Sequence, residues 1–137
     1  MTHSAPKGLA DTHVVLLLRR LDRAELPDEL VISTVTLAEL SAGPLLAQDE
    51  RERATRQAAL QEAATSFSTI AFDDAAARAF GHVAASLRTA GRKATARSFD
   101  AMIAATALAA GIPVVTCNPS DFEGMDDLRL IAVTYPG

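Results

Sequence analysis

Short apolar runs alternate with helix-length amphipathic stretches along this chain, and that alternation restricts the fold more than any other feature. The runs are Leu9-Ala10, Leu30 to Ser33, Phe67 to Phe72, Pro113 to Thr116 and Leu128 to Val133. Leu9-Ala10 could close only a very short strand, and each of the others has the length of one. In Val31-Ile32 and Val114-Val115 the apolar residues are continuous rather than alternating, which suits strands covered on both faces. Between the runs, Val14, Leu17, Leu18 and Leu21 recur at helical spacing. Thr34 to Ala42 reads as a short helix stopped by Gly43-Pro44. Asp49 to Thr65 is a polar, alanine-rich helix expected to face solvent on its Arg51, Glu52 and Arg56 side. Asp73 is placed to cap a helix carrying Ala76, Phe80, Val83 and Leu87, stopped at Gly91. Ser98 to Ala110 is a nearly all-apolar helix ended by Gly111, and a short helical turn begins at Asn118. The expected architecture is therefore α/β, with helices layered on a mostly parallel sheet.

At 137 residues the chain is expected to form a single domain over 1–137, flexible only at 1–6. Its net charge of -4 offers no basic patch, so attraction to a phosphate backbone cannot be its main activity. A chain of this balance would act on nucleic acid through a metal, which reverses the sign of an acidic pocket. A lone cysteine, Cys117, excludes an intrachain disulfide and a multi-cysteine zinc site. It reads as a buried thiol rather than a nucleophile, in a reducing, cytoplasmic setting. No membrane segment is expected. The longest apolar stretch, Ala101 to Val115, is too short and is broken by Gly111 and Pro113. Val14 to Leu18 precedes Arg19-Arg20, the reverse of a secretory leader. Neither a glycine-rich phosphate loop nor a G-x-S-x-G elbow is present.

The residues with chemistry to offer are Asp11, Glu39, Asp100 and Asp121. Each has an ordinary structural explanation. Asp11 is placed as a helix N-cap, Thr36 and Glu39 are spaced as a capping box, and Asp100 lies in a first helical turn. Asn118-Pro119-Ser120-Asp121 reads as N-cap, proline at N1 and an acid at N3. Capping accounts for one acid per helix but not for convergence. Asp11, Glu39 and Asp121 each follow a strand, so a parallel sheet brings them to its carboxyl edge, and the helix opened by Asp100 can point there too. Several ionised carboxylates in one pocket repel unless a cation sits among them. An all-oxygen set selects Mg²⁺ or Mn²⁺ with waters retained, a site suited to hydrolysing a phosphodiester.

Four segments together resemble the PIN domain, and more narrowly the VapC-type toxins of bacterial toxin–antitoxin pairs. They are Ala10-Asp11-Thr12, Thr36-x-x-Glu39-Leu40, Phe99-Asp100-Ala101-Met102-Ile103-Ala104-Ala105-Thr106-Ala107 and Val115-Thr116-Cys117-Asn118-Pro119-Ser120-Asp121-Phe122. The resemblance runs from about Leu9 to Val133, and its last two segments are the most specific. It implies a three-layer α/β/α sandwich and a Mg²⁺- or Mn²⁺-dependent endoribonuclease. It also implies a homodimer, held inactive by a small cognate antitoxin that inserts into the active site. By position, Asp11 and Asp100 would be the most direct metal ligands, Glu39 would hold the metal or orient water, and Asp121 would complete the pocket. Thr12 and Thr116 would donate hydrogen bonds from behind. Asn118 stands where nuclease relatives often carry Asp, so it shares the fourth position with Asp121.

Two competing functions lie in other classes. A phospho-acceptor receiver-like domain also gathers acids at a sheet edge, but it needs a late lysine, and Lys7 and Lys93 are both misplaced. A non-catalytic PIN-like interaction module would have lost acids, and here all of them are present. Among other residues, His13 is expected at the pocket rim, and His3 and His82 away from it. Arg97 would either contact substrate phosphate or pair with Asp100.

Overall fold

A computed structural model of the chain describes residues 6–137. The expected flexible start, with His3 in it, lies outside those residues apart from Pro6, whose carbonyl accepts the Glu29 N–H at 2.8 Å. The elements run β1 (Lys7–Ala10), α1 (Thr12–Leu17), β2 (Glu29–Ser33), α2 (Thr34–Ala42), α3 (Glu50–Ser66), β3 (Ser68–Ile70), α4 (Asp74–Thr89), α5 (Ser98–Ala110), β4 (Val114–Thr116) and β5 (Leu130–Ala132). Every strand pairing is parallel, in the order β3-β2-β1-β4-β5. The sheet is thus wholly parallel among the described residues.

Strand periodicity divides the core in two. Leu9, Val31 and Val114, which share a row of the sheet, pack with Val83 and Leu87 of α4 and Ile103 and Ala107 of α5. The next row, Ala10, Ile32 and Val115, packs on the other face with Val14 of α1, Leu40 of α2 and Ala63 of α3. Successive strand side chains point to opposite faces, so each apolar run supplies both layers. The outcome is the three-layer α/β/α sandwich. Close approach at the centre of the sheet depends on Gly8, where a Cβ would stand 2.7 Å from Val115 Cγ2. Gly111 ends α5 in the left-handed region at φ 71°, with the Ile112 N–H reaching back to the Ala107 carbonyl at 3.1 Å.

Several expected boundaries move. The first helix is α-helical only to Leu17, and Leu18–Arg20 tightens into a 3-10 turn. The run from Phe67 to Phe72 pairs only over Ser68–Ile70, and that from Leu128 to Val133 only over Leu130–Ala132. Both are edge strands, with a single neighbour to extend the ladder. Strand order reverses between β1 and β4. From β1 the chain moves outward through β2 to β3, then returns to the other side of β1. A crevice opens at such a reversal, outside the carboxyl ends of the strands.

Candidate active site

Asp11 leaves the end of β1 at that crevice. Its N–H donates to the Val115 carbonyl at 3.0 Å, tying it to β4. Its Oδ1 accepts the Val14 N–H at 2.9 Å and so caps α1. The capping reading is correct, yet it employs one carboxylate oxygen and leaves the other. Asp11 is only 3% exposed, and burial raises its pKa above the usual value. The Thr116 hydroxyl, the Val14 N–H and the His13 charge oppose that rise, while Asp121 adds to it. Thr116, fully buried at the end of β4, accepts the Asn118 N–H at 2.9 Å, which leaves its own hydroxyl proton for Asp11.

Glu39 is placed differently from expectation. Ser33, not Thr36, caps α2 by accepting the Thr36 N–H at 3.1 Å. The capping-box reading of Thr36 and Glu39 therefore fails. Glu39 lies beyond the first turn, not directly after β2, and the helix end makes no use of its carboxylate. It accepts a hydrogen bond from the Thr12 hydroxyl at 2.7 Å instead.

Asp100 sits in the first turn of α5, whose N-terminus has no side-chain cap. Its pKa is pushed from 3.8 up to about 6, first by burial, then by the charges of Asp121, Asp11 and Glu39, with Arg97 opposing. Acids from the end of β1, from α2 and from the 3-10 turn Pro119–Phe122 thus all bear on Asp100, although they are widely spaced in the chain. Asp121 is engaged on its far side. Arg97 Nη1 donates to its backbone oxygen at 3.3 Å and to Oδ1 at 3.4 Å. Arg97 pairs with Asp121, then, and not with Asp100. Asn118 is exposed, and its Oδ1 accepts from the Ser120 hydroxyl at 2.9 Å.

A groove of about 300 Å³ opens over Asp11, Thr12, His13, Glu39 and Asp100. Arg56 also lines it; Arg51 on that side of α3 is exposed as expected, while Glu52 and Arg56 are half-buried. The Arg56 guanidinium is turned inward by donating to the Gly43 carbonyl at 2.9 Å and by pairing with Glu52. Only the spacing of Glu52 and Arg56, one helical turn apart, hints at this in sequence. A wider hollow of about 520 Å³ between α4 and α5 holds none of the acidic set. His82 lines that hollow, away from the acids. Cys117 has its thiol pKa raised by burial and by Asp11 and Glu25, which suits an unreactive thiol.

The donor set is oxygen-rich and mutually repulsive, which a divalent cation would relieve. Among the described residues no three His, Cys, Asp or Glu side chains stand close enough together to hold a metal ion as a group. Asp11 and Asp100, which line one groove, are the oxygen donors that could hold a hard divalent cation, with water completing its shell.

Comparison with known proteins follows the same lines. The PIN domain family model matches residues 9–128. The chain belongs to the PIN-domain family. Among PIN-domain relatives it is 36% identical over 136 residues to "Ribonuclease VapC5" of Mycobacterium tuberculosis, covering 97% of this chain and 98% of that protein. It is 33% identical over 134 residues to "Ribonuclease VapC4" of the same organism, covering 93% and 97%. The crystal structure of VapBC-5 from M. tuberculosis, a member of the VapBC family of toxin–antitoxin systems, superposes with a TM-score of 0.80 at 34% identity. That match covers 93% of this PIN domain chain and 99% of the other.

Proposed function

We propose that this PIN-domain protein is the toxin of a toxin–antitoxin pair and a divalent-metal-dependent endoribonuclease. The observation that carries the reading is that Asp11, Glu39 and Asp100, from distant segments, line one groove at the strand-order reversal. The names of the VapC ribonucleases and the VapBC-5 complex support it.

In this reading Asp11 and Asp100 hold Mg²⁺ or Mn²⁺, with Glu39 and Asp121 completing the acidic wall. The cation, when bound, supplies charge neutralisation at the scissile phosphate and a more acidic water. The protein positions everything else. Asp11 is fixed by the Val14 N–H and Glu39 by Thr12, so little reorganisation remains when RNA arrives. Glu39 would hold the cation or orient the attacking water, and Arg97 pairs with Asp121 beside the groove. Attack in line with the leaving 3′ oxygen leaves a 5′-phosphate and a 3′-hydroxyl.

A small cognate antitoxin is the proposed partner, with Arg or Lys from its tail drawn into the acidic groove. Leu16 at the groove and Leu45 and Leu46 beside Gly43 are exposed at 51%, 79% and 73%, offering apolar surface to such a partner. A homodimer and a cytoplasmic location complete the proposal, in keeping with a bacterial RNA target. No helix among the described residues is long and apolar enough to cross a membrane. The test is cleavage of structured RNA with Mg²⁺ by the purified protein and by Asp100→Asn. Loss of cleavage in the variant is expected, and equal cleavage by both would remove Asp100 from the site.

A further inference from the structure

The hydroxyl groups behind Glu39 form a chain with a fixed direction. Thr12 Oγ1 donates to Glu39 Oε1 at 2.7 Å and lies 3.1 Å from Thr36 Oγ1. A threonine hydroxyl has one proton. With the Thr12 proton committed to the carboxylate, the Thr12–Thr36 bond must be donated by Thr36. The order is Thr36 to Thr12 to Glu39.

Thr36 is fully buried in the first turn of α2, where Ile32, four residues earlier, belongs to β2 and not to the helix. Thr55, Thr65, Thr89 and Thr106 each donate to the carbonyl four residues earlier. Thr36 turns instead to α1, across 24 residues of chain. Its backbone N–H already receives the cap from Ser33, so the helix end has no use for its hydroxyl.

We infer that Thr36 is a positioning residue for Glu39, acting through Thr12 to hold Oε1 and leave Oε2 to face the groove. A hydroxyl whose proton must point one way cannot rotate to accept from solvent, so the relay fixes the carboxylate more firmly than Thr12 alone. A valine at position 36 would fill nearly the same volume but leave the Thr12 oxygen without its donor, so that Thr12 holds Glu39 less firmly. The inference rests on the proposal that Glu39 serves a cation in this groove.

The test is Mn²⁺ binding by calorimetry on the full chain, with thermal melts to show that each variant is folded. Thr36→Val should weaken Mn²⁺ binding by about tenfold, as loss of a group supporting a metal ligand commonly does. Thr36→Ser, which restores the hydroxyl, should return it to within about twofold of the parent. In a Glu39→Ala background, Thr36→Val should cost nothing further, since no carboxylate remains to be held. Parental binding by folded Thr36→Val overturns the relay, and so does equal weakness of the Ser and Val variants. A full additional loss in the Glu39→Ala background would also overturn it. Equal Mn²⁺ binding by the parent and Asp100→Asn would overturn the metal reading itself, and the relay with it.

Discussion

The guanidinium of Arg97 is bound to Asp121 at both its backbone oxygen and Oδ1, at 3.3 and 3.4 Å, and lowers the pKa of Asp100 without being its partner. One cation thus offsets part of the repulsion among the acids from outside the groove. Removing it has a definite sign. In Arg97→Ala, metal-free Asp100 should titrate above its present value of about 6. Carboxyl-carbon NMR titration reads this directly, and an unchanged or lower value would contradict it.

Asp11 both caps a helix and faces the groove, and two substitutions separate the roles. Asp11→Asn retains a capping oxygen but removes a charge that burial disfavours, so metal-free stability should be equal to or above that of the parent. Asp11→Ala loses the cap and should cost about 0.5–2 kcal/mol in denaturant unfolding. Both should bind Mn²⁺ weakly. A strongly destabilised Asn variant would show that the charge itself supports the fold.

Asp100 also sets a pH dependence. It titrates near 3.8 when unfolded and near 6 in the folded, metal-free chain. Between those values the folded state holds more protons, so the contribution of Asp100 to stability declines as pH rises. It is most favourable below about pH 4 and reaches its floor above about pH 6. Chelator-treated parent and Asp100→Asn should therefore diverge across this window, the parent losing ground with rising pH. Added Mn²⁺ should stabilise the parent more at pH 7 than at pH 5, because binding requires the ionised form. A parent that gains on Asp100→Asn from pH 4 to 6 without metal would contradict the assignment.

The core makes its own demand. Ile103 is 1% exposed on the face of α5 that meets Val83, Leu87 and the sheet. Ile103→Ala should lower stability by about 2–5 kcal/mol, measured by urea unfolding. A loss under about 1 kcal/mol would mean that α5 repacks freely, since values that small belong to lesser deletions.

Much of this was legible in the sequence because it is local. Val31-Ile32 and Val114-Val115 announce doubly covered strands, and Asp11, Ser98 to Ala110 and Gly111 carry their helix boundaries with them. Glu39 was misread because Ser33, Thr34 and Thr36 all offer hydroxyls near one helix start, and spacing alone cannot say which becomes the cap. The share of Arg56 in the groove was hidden because α3 is polar almost all round. The inward turn of Arg56 depends on the Gly43 carbonyl, a partner from a different element. The reversal of strand order between β1 and β4 was also invisible, since pairing between distant segments decides it. The separate engagements of the acids with Thr12, Val14 and Arg97 required three dimensions.

The most direct test of the account is anomalous scattering from crystals of the protein soaked in Mn²⁺. The prediction is a peak in the groove, coordinated by oxygens of Asp11 and Asp100, with water completing the shell. Manganese bound elsewhere, or a groove that stays empty at saturating Mn²⁺, would contradict the claim that these acids form a metal-dependent hydrolytic centre.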